Sequence, residues 1–159
     1  MTSFDKYFHA IITGGAEQAQ EMGSATIEAE HLLLAIAAER DPGTEQILSA
    51  VGLDHHGIRD ALDREFEHSL RAGGVSLAEF DLLPADPRVE RPKQMGASAK
   101  LALDRTFTSV GKKDVRPAHL LFGIMKAEVG TVPRALTLAG IDMADLRARI
   151  QRTLSEAKP

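Results

Sequence analysis

The chain contains an internal repeat, and this repeat constrains the fold more than any other feature of the sequence. Residues 31–66 align without a gap to residues 119–154. The aligned pairs keep residues that mark helix starts, helix ends and buried positions: His31 with His119, Leu48 with Leu136, Gly52 with Gly140, and Asp54 with Asp142. Because these residues recur together, we interpret the segments as two copies of one unit. The alternative is two unrelated pairs of amphipathic helices.

Each copy predicts helices separated by turns. In the first copy, apolar residues at helical spacing predict a buried helix over residues 30–40. Asp41 followed by Pro42 is typical of the start of a short helix. Gly52 predicts a left-handed helix end, and Asp54 predicts the cap of the next helix. The aligned glycine and aspartate predict the same two features in the second copy.

A further helix is predicted before each copy, over residues 4–22 and over residues 94–110. The glycine pair inside the first of these helices is expected to weaken it. The chain is then one domain over residues 1–159, made of three parts: repeat 1 (about 4–68), a connector (about 69–92) and repeat 2 (about 93–156). We expect the apolar residues of the connector to pack on the domain rather than to dock a partner: Leu77, Phe80, Leu82 and Leu83.

Composition supports a helical reading of the repeat. Aromatic residues make up 4% of the chain and tryptophan is absent, whereas strand-rich domains favour aromatic and β-branched side chains. The predicted fold is therefore all-α, a pseudo-twofold duplicated four-helix repeat of about eight helices. The formal net charge of −4 makes nucleic acid the weakest candidate partner. The lack of cysteine, of a signal peptide and of a long apolar run leads us to expect a soluble, cytoplasmic protein.

The repeat resembles a known family. Residues 27–39 read IEAEHLLLAIAAE, and VGLD follows at residues 51–54. This pattern resembles the N-terminal repeat domain of Clp-type Hsp100 unfoldases, especially the ClpC branch, whose motif G-T-E-H-[IL]-L-L-[GA]-[IL] occurs twice. Residues 4–31 also run in step with the family's first helix and loop. The resemblance covers nearly the whole chain, apart from a longer connector.

The resemblance implies a docking platform for adaptors and substrates. A complete unfoldase needs a G-x-x-x-x-G-K-[ST] phosphate loop, which this sequence lacks, so we expect a stand-alone domain without ATPase modules, without catalysis and without a cofactor. Its expected partners are protein or peptide segments, including a Clp unfoldase or protease or its substrates, and its role would be that of an accessory, adaptor or decoy. The alternatives are an assembly factor that contacts the Clp ring without binding substrate, and a small helical enzyme with an unrecognised site.

In ClpC the family domain also recognises phosphoarginine, with a motif glutamate at the guanidinium and a threonine at the phosphate. Carried over to this sequence, Glu30 occupies the glutamate position of the first repeat, and Asp5 falls where the threonine is expected. An aspartate would repel a phosphate. Ala118 replaces the glutamate in the second repeat. Phosphoarginine recognition is therefore doubtful in the first repeat and expected to be lost in the second, and Asp5 with Glu30 form a hypothetical site for an unmodified basic side chain.

Histidines supply the remaining candidate chemistry. His31 and His119 occupy equivalent positions, where we interpret each as a buried residue that hydrogen-bonds a neighbouring turn rather than as a catalytic group. His55 and His56 with His68 suggest a metal only weakly, because adjacent residues of a helix point apart. We interpret them as a solvated face and predict no metal site.

Overall fold

The computed structural model describes residues 2–74 and 90–156, which form eight helices joined by short connections. In chain order the helices are α1 (Ser3–Glu21), α2 (Ala29–Glu39), α3 (Pro42–Ala50), α4 (His55–Ala72), α5 (Ala97–Ser109), α6 (Pro117–Met125), α7 (Thr131–Leu138) and α8 (Met143–Glu156). The predicted all-α fold of about eight helices is confirmed. The apolar connector residues, Leu77, Phe80, Leu82 and Leu83, lie outside the described residues. No helix of the described ranges is long and apolar enough to cross a membrane.

Most helix ends lie where the turn residues predict them. Asp54 caps α4, and its Oδ1 accepts a hydrogen bond from the Gly57 N–H at 2.7 Å. Gly52 and Gly140 adopt φ values of +77° and +89°, in the left-handed region that an L side chain rarely enters. The two glycines therefore end helices in both repeats, as the sequence predicts.

The start of α5 differs from the prediction. Residues 94–96 do not begin this helix. They run beside Ile27, which lies two residues before the start of α2. The Ile27 N–H donates to the Gln94 carbonyl at 2.9 Å, and the Gly96 N–H donates to the Ile27 carbonyl at 2.8 Å. This short parallel bridge satisfies backbone groups of both repeats, so helix α5 begins only at Ala97.

The two repeats pack about an approximate twofold axis. Helices α2 and α6 are in contact at the centre and supply much of the fully buried core: Leu32, Leu33, Leu34, Ile36, Leu120, Leu121, Ile124 and Met125. With one exception, every contact between two helices is matched by a contact between the equivalent helices of the other repeat. For example, α4 packs on α7, and the equivalent α8 packs on α3. The contact of α7 with α8 is the exception, since α3 and α4 make no matching contact.

Small residues let the first two helices of each repeat approach closely. A Cβ atom placed on Gly14 of α1 would lie 3.1 Å from the Ala35 Cβ of α2. In the second repeat the glycine is on the other helix: a Cβ atom on Gly123 of α6 would lie 2.2 Å from Thr106 Oγ1 and 2.6 Å from the Ala102 carbonyl oxygen. Close packing against α2 therefore explains why α1 contains a glycine pair, although glycine weakens a helix.

We predict that Gly123→Ala destabilises the protein by about 2–3 kcal/mol, because the added methyl group overlaps backbone atoms that cannot move aside without separating α5 from α6. Chemical denaturation followed by circular dichroism measures the change. Gly43→Ala is the matched control, since the nearest atom to its added methyl group is 3.4 Å away. Equal stability of the two variants would contradict the close packing of α5 on α6.

Candidate functional site

The equivalent residues His31 and His119 lie in the first turn of α2 and of α6, and each caps the start of its helix. The Glu28 N–H donates to His31 Nδ1 at 2.8 Å, and the Arg116 N–H donates to His119 Nδ1 at 2.9 Å. Each imidazole thus satisfies a backbone donor at a helix start, where intrahelical acceptors are missing. The predicted hydrogen bond to a neighbouring turn is confirmed at both positions. His31 is buried, and His119 is half-buried.

This capping bond requires a neutral imidazole, because Nδ1 accepts a hydrogen bond only when it carries no proton of its own. Burial is the largest cause that lowers the pKa of His31, to about 4, and the charge of Arg59 lowers it further while Glu28 opposes the shift. Burial also lowers the pKa of His119. Both histidines are therefore neutral near pH 7.

Glu28 links the two repeats. Its Oε1 accepts hydrogen bonds from the Ser98 hydroxyl at 2.7 Å and from the Ser98 N–H at 3.3 Å, while the Ala29 N–H donates to Ser98 Oγ at 2.9 Å. Burial alone would raise the pKa of Glu28, but hydrogen bonds from Thr26 and Ser98 lower it below the ordinary value. Sequence reasoning missed this pair because Ser98 is distant along the chain and has no motif around it.

Glu30 is a carboxylate that forms no ion pair with the described residues. It lies in the first turn of α2 and is half-buried. Burial is the main cause that raises the pKa of Glu30, the charges of Glu28 and Glu65 raise it further, and Arg134 opposes them. An incoming cation would relieve this unfavourable environment, so Glu30 is suited to accept a basic group.

A surface groove lies where α4 meets α7, and it includes Glu65, whose charge acts on Glu30. We call it the α4–α7 groove; its volume is about 380 Å³, and its lining includes Glu65, His68, Ser69, Pro133, Arg134 and Leu138. Glu65 is nearly buried and accepts hydrogen bonds from Ser69 Oγ at 2.6 Å and from Arg134 Nε at 3.0 Å. Because the charge of Glu65 also acts on Glu30, the two carboxylates form one acidic region beside the exposed side chain of Leu138.

The structure does not bring Asp5 and Glu30 together. Asp5 belongs to the capping box of α1, in which the Thr2 N–H donates to Asp5 Oδ2 at 3.0 Å. Helices α1 and α2 are antiparallel, and Tyr7 of α1 lies near Asp41, beyond the end of α2. Asp5 and Glu30 are therefore separated by most of the length of α2, about 15 Å along its axis. A single pocket built from both residues is not formed.

The equivalent place in the second repeat has lost its acidic character. Ala118 stands at the position of Glu30 and is buried, and Thr153 stands at the position of Glu65. The groove between α3 and α8 corresponds to the α4–α7 groove under the exchange of repeats, and its lining includes Arg149 and Arg152. Glu156 is the carboxylate in this lining, and it lies beside the two arginines rather than at the positions of Glu30 and Glu65.

The remaining histidines do not assemble a metal site. His55 Nε2 lies 3.3 Å from Gln18 Oε1, His56 lines a groove of about 570 Å³ at the start of α4, and His68 lies in the α4–α7 groove. Across residues 2–74 and 90–156, no three metal-ligating side chains come together. His31 and His119 do not line these grooves or the other surface grooves of the described residues that adjoin α3, α6 and α8.

Comparison with known proteins places this architecture among relatives. A family model described as the Clp repeat (R) N-terminal domain matches residues 3–91. The ATP-dependent Clp protease ATP-binding subunit ClpA homolog of Cyanidium caldarium is 25% identical over 146 residues, which are 92% of this chain and 16% of that protein. The chain thus spans a small fraction of that relative's length.

A solved structure shares the fold. The crystal structure of the N-terminal domain of the caseinolytic protease associated chaperone ClpD from Arabidopsis thaliana superimposes with a TM-score of 0.62 at 21% sequence identity. The superposition covers 92% of this chain and 91% of that one. The arrangement of eight helices is therefore shared with a Clp N-terminal domain.

We predict that acid destabilises the protein through His31. The unfolded chain takes up a proton at an ordinary histidine pKa of 6.5, whereas folded His31 does so only near pH 4. Above pH 6.5, neutral His31 therefore makes its full contribution to the free energy of unfolding. As the pH falls towards 4, this contribution is lost, and the free energy of unfolding decreases by on the order of 3 kcal/mol. Urea denaturation at a series of pH values measures this loss.

The variant His31→Gln is expected to show a flatter dependence on pH between 6.5 and 4, because the glutamine oxygen can still accept the capping bond but does not titrate. The exposed His9 provides the control, since His9→Gln should leave the pH dependence of the wild-type chain unchanged. An unaltered slope in His31→Gln would contradict the neutral capping role.

Proposed function

The chain belongs to the family of Clp repeat (R) N-terminal domains, and on that premise we propose that it is a non-catalytic module that binds segments of other proteins. Its partners are protein or peptide segments of the Clp system, either a Clp unfoldase or protease or the substrates of one. In this system the module acts as an accessory, an adaptor or a decoy. The family match is the observation that carries the proposal.

The unpaired carboxylate of Glu30 supports a specific recognition mode. A half-buried carboxylate with a raised pKa gains more from an incoming guanidinium than a solvated one does, because the guanidinium replaces hydration that burial has already removed. The neighbouring α4–α7 groove adds the carboxylate of Glu65 and the apolar surface of Leu138. We therefore assign Glu30 as the acceptor of a basic side chain whose neighbours in the bound segment are apolar.

The surroundings of Glu30 favour arginine over phosphoarginine. The carboxylates of Glu28 and Glu65 act on the same position and would repel a phosphate group. Asp5, which stands where the family has a threonine, lies at the opposite end of α2 and caps its own helix. Ala118 offers no acceptor in the second repeat, so one basic site per chain is proposed.

We predict that Glu30→Gln weakens the binding of an arginine-containing, otherwise apolar peptide by about tenfold, because a charge-assisted hydrogen bond is replaced by a neutral one. Isothermal titration calorimetry of the peptide against both chains measures the effect. Glu39→Gln is the matched control, since Glu39 is exposed at the far end of the same helix and should leave the affinity unchanged.

The same titration with phosphoarginine in place of arginine tests the chemistry of the site. Tighter binding of the phosphopeptide would contradict the assignment of Glu30 as an acceptor of unmodified arginine. Capture of a Clp ring by the chain, with no binding of either peptide, would instead favour an assembly factor that contacts the ring without holding substrate.

A further inference from the structure

A second groove lies in repeat 2, where α5, α6 and α8 meet. We call it the second-repeat groove; its volume is about 530 Å³. Three cationic side chains line it: Arg105 of α5, Lys126 at the end of α6 and Arg147 of α8. The ring of Phe122 and the small side chains of Ala144 and Ala148 add apolar surface. In a chain with a net charge of −4, this concentration of cations is a local exception.

The cations of this groove are not neutralised by the described residues. Arg105 is half-buried and makes no ion pair with them, and Lys126 lies over the Phe122 ring at 5.1 Å from its centre. Arg147 uses Nη1 to donate to the Met125 carbonyl at 3.2 Å, which fixes its guanidinium without cancelling its charge. Glu128, the single carboxylate in the lining, is exposed and makes no ion pair within residues 2–74 and 90–156.

The first repeat shows that this charge is not a requirement of the fold. Under the repeat alignment, extended back through α5, Arg105 corresponds to Glu17 and Lys126 to Ala38. Arg147 corresponds to Arg59, which lies 3.5 Å from Asp63, an i,i+4 ion pair that Arg147 lacks because residue 151 is glutamine. The same helical framework therefore carries a free cationic groove in one repeat only.

We propose that the second-repeat groove binds an acidic segment of a partner protein, with carboxylates at Arg105 and Lys126 and an apolar side chain on the Phe122 ring. Two observations favour a peptide over a nucleic acid. The lining includes the apolar side chains of Phe122, Ala144 and Ala148, and Glu128 would repel a continuous phosphate backbone. The second-repeat groove shares Glu128 with the lining of the α4–α7 groove, but Arg105, Lys126 and Arg147 line the second-repeat groove and not the α4–α7 groove, so this proposal does not rest on the proposed function.

Fluorescence anisotropy with a labelled peptide of alternating leucine and acidic residues tests the proposal. The variant Arg105→Gln with Lys126→Gln is expected to bind about fivefold more weakly, since two solvent-facing ion pairs are lost. Lys6→Gln with Lys100→Gln is the matched control, because it removes the same two charges from exposed positions outside the groove. The single variant Lys126→Gln, at an exposed residue, provides a second measurement that does not alter half-buried Arg105.

Three results would overturn the proposal. One is equal weakening by the groove variant and its control, which would show attraction by net charge alone. Another is unchanged binding by a peptide in which asparagine and glutamine replace the acidic residues. The third is tighter binding of a single-stranded oligonucleotide than of the acidic peptide. The groove variant keeps Glu30 and Glu65, so this measurement and the arginine-peptide titration report on different residues.

Discussion

The carboxylate of Glu28 holds the starts of α2 and α5 together, and the placement of the second repeat depends on this contact. Its oxygens approach Gly96 so closely that a Cβ atom there would lie 1.7 Å from Glu28 Oε2, and only glycine fits. The positive ends of two helix dipoles favour a negative charge at this point. The hydrogen bonds to Ser98 offset the cost of partly burying the carboxylate, and the backbone bridge at Ile27 fixes the register of the two segments.

A duplicated interior supports two different surfaces. The helix contacts exchange almost completely between the repeats, and apolar residues fill equivalent core positions. Charged residues at aligned positions differ between the repeats: Glu30 aligns with Ala118, Glu65 with Thr153, and Glu17 with Arg105. Glu17 is exposed, and an exposed charge contributes little to folding, so its exchange is tolerated. The result is an acidic region beside the α4–α7 groove and a cationic groove in repeat 2, on one symmetric framework.

Local signals in the sequence were enough to predict the helices and their ends. Gly52 and Asp54 act within one turn of the chain, so their roles follow from neighbouring residues alone. The same signals could not predict that Gln94 leaves the helix, because its carbonyl bonds to Ile27 in the other repeat. The separation of Asp5 from Glu30 is likewise a property of how α1 packs antiparallel on α2. Both features that the sequence pattern failed to predict, the start of α5 and the separation of Asp5 from Glu30, depend on contacts between segments that are distant along the chain.

One turn of α2 divides structural and binding roles among neighbouring residues. Glu28 and His31 are committed to helix starts, one as a hydrogen-bonded carboxylate with a lowered pKa and the other as a neutral acceptor. Glu30 lies between them, yet it makes no ion pair with any described residue, and its pKa is raised. Since the flanking residues already stabilise the turn, Glu30 is not needed to hold it. The two glutamates thus differ in environment and not in residue type: Glu28 is a structural group, and Glu30 is the residue proposed as the acceptor for a partner.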